Sequence, residues 1–276
     1  MGAMEPAQLE RPPFADLDEM PPDMFAMLVA ALDAMAEHPE IRRVRHAGWE
    51  ALRPAPGQQL LDAGCGAGDV SRELAAAVAP GGEVVALDRS TATLAAARAR
   101  HDGGDVRYVN GDVCALQLDD NSFDGVWCER VLQHVRDANR AIAELVRVTR
   151  PGGQVCLLDT DWSSLAFDGV DAALAGAVVR HAHGSLTPQH ADIGRTLRRR
   201  LVDHGLSEVS AVPVTCCFPD PASAAVVLPM VNPAVPAHSW PVPEQLRADW
   251  LEQVDAAGTR GDFLAVLTIW VAAGTV

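Results

Sequence analysis

Residues 59 to 69 constrain the fold more than any other stretch of the chain. Gln59 to Ala63 is short and mostly apolar and follows the breaker Pro56-Gly57, as expected of a central strand of a parallel sheet buried on both faces. Gly64, Gly66 and Gly68 then give a turn without outward-facing Cβ atoms, so a ligand can lie against bare backbone. An apolar periodicity from Val70 to Val78, closed by Pro80-Gly81-Gly82, predicts a helix that Asp69 caps. The glycine spacing is G-x-G-x-G and not the dinucleotide fingerprint G-x-G-x-x-G, so the turn alone does not name a ligand.

The strands that follow supply the missing chemistry. Glu83 to Leu87 ends in Asp88, where a carboxylate can accept both hydroxyls of a ribose. Val106 to Asn110 runs into Gly111-Asp112-Val113, whose acid can accept from an exocyclic amine. Phe123 to Cys128 leads to Glu129. Glycine, acid and acid thus arrive in order at successive strand ends.

Six segments together resemble a known family. They are Leu60 to Gly68, Val85 to Asp88, Asn110 to Val113, Asn121 to Asp124, Val131 to Val135 and Glu144 to Gly153. In order and approximate spacing they are similar to the class I S-adenosylmethionine-dependent methyltransferases, in particular the small-molecule branch of the quinone-biosynthesis C-methylase type. The likeness covers about residues 55 to 160. It implies an α/β fold: a Rossmann-like, seven-stranded, mostly parallel sheet with an antiparallel last strand, a helical N-terminal cap and inserted substrate-lid helices. The cofactor implied is S-adenosyl-L-methionine, held by Asp62, Ala63, Gly64, Gly66, Asp88, Arg89, Gly111, Asp112, Val113, Cys128 and Glu129. Arg89 stands where the family often has an apolar residue against adenine, and a guanidinium can stack there as well.

On this reading residues 1–52 form the cap and 53–276 the catalytic domain, with lid insertions at about 160–192 and 218–260. Asp23 caps a first helix with a stripe of Phe25, Leu28, Val29, Leu32 and Met35, and Pro39 to Leu52 forms a second. Phe14, Met24 and Met27 are expected to face substrate. Ser90 caps a helix that reaches His101, and Asp137 starts the next. Strand five is expected at Gln154 to Leu158, an inserted helix between Ser163 and His190 carrying His181 and His183, a helix from Ile193 to His204 and strand six from Val209 to Cys217. Phe263 to Ala273 pairs antiparallel with strand six. The apolar lid is drawn from Met24, Phe25, Trp162, Phe167, Phe218, Met230 and Trp240.

Methyl transfer from a sulfonium is mainly a matter of alignment, aided by a base where the nucleophile carries a proton. His134, after the fourth strand, and Asp161 and His190, on the segment beyond strand five, are the candidate catalytic residues. The activity expected is methyl transfer to an O, C or N nucleophile of a small, largely apolar metabolite, with secondary metabolism one setting. The alternative is a non-methylating rearrangement or cyclisation on the same fold with the cofactor bound.

Composition removes other classes. A net charge of −15 repels a phosphate backbone, which argues against a nucleic-acid substrate. Every basic residue among the 22 is arginine, so no lysine can form a Schiff base. Arg195, Arg198, Arg199 and Arg200 recur at helical spacing, as a solvated helix face would. Six cysteines without paired metal spacing read as reduced and structural, with no metal site. No apolar run spans a membrane, and the start lacks a secretory signal, so a cytoplasmic enzyme is expected, with monomer and homodimer both open.

Overall fold

Alternation of apolar side chains across two faces builds the sheet. In β1 (Gln59–Ala63) Leu60 enters one core layer and Leu61 the other, and β4 (Phe123–Glu129) repeats the split with Trp127 and Val126. The computed structural model describes residues 17–100, 103–185, 190–235 and 242–276, with only the backbone given for 182–185. Within it β2 (Glu83–Asp88), β3 (Val106–Asn110) and β5 (Thr149–Asp168) complete a parallel set with β1 and β4. β6 (Ser207–Phe218) and β7 (Leu264–Thr275) close the sheet in the order β3-β2-β1-β4-β5-β7-β6, with β7 antiparallel to both neighbours. The register sets Ala63 beside Leu87, Asp88 beside Asn110 and Glu129 beside Leu158, so the carboxyl ends share one edge.

Helices cover both faces: α1 (Pro22–Glu37), α2 (Pro39–Leu52), α3 (Asp69–Val78), α4 (Thr91–Ala99), α5 (Ala138–Val148), α6 (Ala172–Ser185), α7 (Ile193–Asp203), α8 (Pro221–Val227) and α9 (Glu244–Arg260). Ser90 caps α4 by accepting from the Thr93 amide at 3.1 Å, and Asp137 caps α5 by accepting from the Arg140 amide at 2.9 Å. Asp69 and Asp23 do not cap. Gly68, at φ 76°, holds the cap position of α3, and α1 begins at Pro22 with Asp23 in its first turn.

The largest departure is β5, which runs on to Asp168 instead of ending near Leu158. β7 supplies a partner as far as Asp168 opposite Leu264, with a register shift between Asp161 and Ala166, so the backbone rejoins the ladder from Ala166 to Asp168. The inserted helix therefore starts only after Gly169, at φ 80°. Phe167, Phe218 and Met230 are not lid residues. Phe218 and Met230 are buried, the Phe167 ring lies 4.8 Å from that of Trp250, and the Trp250 indole donates to the Met230 carbonyl at 2.8 Å, so this insertion is a core layer. Phe25 is half-buried, Met24 and Met27 are exposed, and Phe14 and Trp240 lie outside the described residues. His181 sits on α6 with Nδ1 2.9 Å from the Ala177 carbonyl, and the side chain of His183 is outside the described set. The six cysteines are free. No described helix is long and apolar enough to cross a membrane.

The cap is built into this core. Buried Ile41, Val44, Gly48 and Leu52 form one stripe of α2, and a Cβ at Gly48 would stand 2.5 Å from the Trp127 ring and 2.9 Å from Leu158. Gly48→Ala is therefore expected to destabilise the fold by about 1–3 kcal/mol, lowering Tm by roughly 3–10 °C in a thermal melt.

Candidate active site

The loop after β1 is sewn to β2 by a single acceptor. Gly64 and Cys65 both donate to the Leu87 carbonyl, at 2.7 and 2.9 Å. That places the next amide, Gly66, 2.9 Å from Asp88 Oδ2, while the Ser90 amide reaches Oδ1 at 2.9 Å. The glycines divide the work. A Cβ on Gly64 would come within 2.2 Å of Val131, one on Gly68 would press on Ala97 and Tyr108, and one on Gly66 would meet nothing within 4 Å. All three have positive φ. Gly66 thus turns bare backbone toward open space.

Around this loop the strand ends converge. The Asn110 side-chain amide donates to the carbonyls of Asp88 and Arg89, at 3.2 and 2.8 Å, and Gly111 donates to Asp88 at 3.0 Å. Asp112 is exposed with Oδ1 taking the Cys114 amide at 2.8 Å, and Val113 beside it is buried. Arg89 is exposed. Asp62, Ala63 and Cys128 are buried with the core, so their side chains lie beneath the loop and not on its surface. Burial pushes the Asp62 carboxyl up to about 7, against the pull of the Ser71 hydroxyl that donates to it at 2.5 Å.

Glu129, also shielded, takes Arg45 Nε at 2.9 Å, and Arg45 Nη1 reaches Asp69 at 2.6 Å. Arg45 thus projects from the cap helix to both flanks of the glycine loop. Sequence reasoning missed it. The signal available was its place on α2 next to the buried stripe, a position from which a long cation reaches over the sheet edge.

Beyond β4 the chain turns through Arg130, at φ 54°, to His134. The carboxylate of Asp159, at the end of the parallel part of β5, accepts the Gln133 amide at 3.1 Å, and Gln133 Oε1 accepts the Trp162 indole at 2.7 Å. Burial pushes the Asp159 carboxyl up to about 7, although backbone amides of Thr160, Gln133 and Leu132 favour its charge. Burial, the Arg130 cation and neighbouring His190 hold His134 down at about 4, so its imidazole is neutral at neutral pH. His190 is itself buried, and neither ring nitrogen has a hydrogen-bond partner among the described residues. The structure therefore brings His134 and His190 together from separate segments. Asp161 stands apart in role: both of its oxygens accept from the Arg195 guanidinium, at 2.6 and 2.7 Å, so it anchors α7 and is not a free base.

Comparison with known proteins decides what the arrangement belongs to. Residues 61–157 match the pattern of a methyltransferase domain. The chain is 36% identical over 247 residues to an uncharacterised 37.1 kDa protein of a transposon from Streptomyces fradiae, covering 88% of this chain and 70% of that protein. It is 35% identical over 151 residues to a demethylmenaquinone methyltransferase of Renibacterium salmoninarum, covering 52% of this chain and 62% of that enzyme. Among solved structures, a putative methyltransferase from an antibiotic biosynthesis pathway of Anabaena variabilis superposes with a TM-score of 0.62 at 21% identity, covering 88% of this chain and all (100%) of that one. The chain thus contains a methyltransferase domain.

The family's cofactor is S-adenosyl-L-methionine, and the residues present fit it. The open side of Gly66 leaves a cradle that a Cβ would fill, Asp88 and Asp112 offer acceptor oxygens, and Arg45 beside Glu129 and Asp69 sets a cation against two acids. Those are the complements of ribose hydroxyls, an adenine amine and an amino-acid head.

The pH dependence of this methyltransferase follows from Asp62. A carboxyl whose folded pKa is raised keeps its proton in the native state over a range in which the unfolded chain has lost it, so stability falls as pH rises from about 4 to 7. Asp62→Asn escapes this loss. Its stability relative to the parent is expected to improve by roughly 1 to a few kcal/mol between pH 4 and pH 7.5 in denaturant titrations.

Proposed function

We propose that this protein is an enzyme of the EC 2.1.1 type that transfers a methyl group to an O, C or N nucleophile of a small, largely apolar metabolite, working in the cytoplasm. The observation that carries the reading is the convergence of the Gly66 backbone, the Asp88 carboxylate and the Arg45–Glu129 pair on one sheet edge. Bound S-adenosyl-L-methionine supplies a methyl group on a positively charged sulfur, which is already a good leaving group.

The chain's own residues then align and exclude water. Asp88 accepts the ribose hydroxyls, with its orientation fixed by the Gly66 and Ser90 amides. Asp112 accepts from the adenine amine, Val113 gives an apolar wall, and Arg89 lies beside it on the surface. Gly64 and Gly66 meet the methionine portion, with Glu129 taking its ammonium and Arg45 its carboxylate. Asp62, Ala63, Gly111 and Cys128 act from beneath by holding the loop and strand ends in place. His134 and His190 face the acceptor, and a neutral His134 can take a hydrogen bond or a proton from it. Asp161 contributes by fixing the helix that follows His190, through Arg195.

A small acceptor also suits the charge of −15, which disfavours nucleic acid. Similarity to a quinone-pathway enzyme supports a lipophilic hydroxylated ring as the first acceptor class to try. Isothermal titration is expected to show S-adenosylhomocysteine binding that weakens about tenfold to a hundredfold in Asp88→Ala, because a charge-assisted contact is lost. Unchanged affinity removes the assignment. With a turning-over acceptor, release of S-adenosylhomocysteine separates methyl transfer from a cyclisation, and His134→Ala and His190→Ala should each lower kcat by tenfold or more.

A further inference from the structure

The segment before α1 grips the neighbourhood of Asp88 in a way the reaction scheme above does not use. Asp18, in a short 3-10 turn at Leu17–Glu19, sits against the N-terminus of α4. Its Oδ1 accepts the Ser90 hydroxyl at 2.6 Å and the Ala92 amide at 3.0 Å, and its Oδ2 accepts the Thr91 amide at 3.1 Å and the Thr91 hydroxyl at 3.0 Å. Ser90 is the shared element. Its hydroxyl donates to Asp18 and accepts the Thr93 amide, while its own amide donates to Asp88 Oδ1.

The same segment is fastened further along. Asp33 of α1 holds Arg100, just past α4, through two contacts of 2.6 and 2.8 Å, Met35 sulfur meets the Arg130 guanidinium, and Arg45 of α2 reaches Asp69 and Glu129. Residues 17–45 therefore attach on both sides of the loop that contains Gly66. A strap of this kind bears on whatever lies at the loop.

We propose that Asp18 is a cofactor-positioning residue, which through Ser90 holds Asp88 in its binding orientation and ties the strap over the bound S-adenosyl group; this rests on the function proposed above. Two features favour the assignment over a plain helix cap. Besides the Thr91 and Ala92 amides, which the Ser90 cap leaves open, Asp18 takes the hydroxyls of Ser90 and Thr91, which capping the helix does not require. Those four donors also hold the Asp18 carboxyl down at about 2, so the clamp stays charged throughout the range in which an enzyme works, and the helix dipole adds to its hold.

The test is the rate at which S-adenosylhomocysteine leaves the full-length protein, measured by stopped-flow displacement. Asp18→Ala should release it about tenfold faster, with Tm changed by no more than a few degrees. Asp18→Asn, which keeps one acceptor oxygen but loses the charge and turns an amide nitrogen toward the other pair of donors, should release it at a rate between those of the parent and Asp18→Ala. Release from Asp18→Ala at the parent rate overturns the proposal while leaving the methyltransferase reading standing. A parent protein that binds no S-adenosylhomocysteine overturns both. Amide exchange at Thr91 and Ala92 gives an independent readout: it should quicken at both in Asp18→Ala and at only one of them in Asp18→Asn, and equal protection in all three proteins also overturns the clamp.

Discussion

One carbonyl, that of Leu87, fixes the geometry on which the site depends. By accepting from Gly64 and Cys65 together it pins the loop after β1 to the end of β2, and only then does the Gly66 amide meet the Asp88 carboxylate. Such a doubled contact requires the chain to turn at once after Ala63, which is why residues of positive φ stand there. The loop and the acid are thus tied into one unit by contacts of the fold itself.

Electrostatics at the same edge are organised around burial. Asp62, Glu129 and Asp159 are all shielded, yet their surroundings differ. Glu129 has the Arg45 guanidinium and is paired, whereas Asp62 and Asp159 have only hydroxyl or amide donors, and burial raises their pKa values. A buried carboxylate without a cation is costly, and neutralisation by a proton is the cheaper state. By standing between Asp69 and Glu129, Arg45 keeps these two acids from repelling one another at the sheet edge.

How much of this was legible in the sequence depends on the range of the contact. The parallel core, the glycine turn, the caps at Ser90 and Asp137 and the antiparallel β7 follow from short-range patterns: apolar runs, breakers and polar residues at helix starts. The extent of β5 was not legible, because its extension past Leu158 is stabilised by a strand about 100 residues further on. For the same reason Phe218 and Met230 look like lid residues in a proline-broken stretch and are core residues once Trp250 packs beside them. The acids at the ends of β2 and β4 could be placed by strand prediction alone. Arg45, which pairs with Glu129, and Asp18, which reaches Asp88 only through Ser90, could not, since each lies before β1 and reaches the site only through tertiary packing.

The turn after β4 shows how the two halves of the site constrain each other. Gly64 leaves no room for a Cβ because Val131 fills that space, and Val131 opens the same turn that carries Gln133 and His134. Asp159 holds the turn from below through the Gln133 amide, and Trp162 holds Gln133 from the side. The position of His134 is therefore set jointly by the loop after β1, by β5 and by Trp162. A side chain at Gly64 would displace Val131 and, through it, the turn that carries His134, so this glycine couples the loop after β1 to the turn after β4.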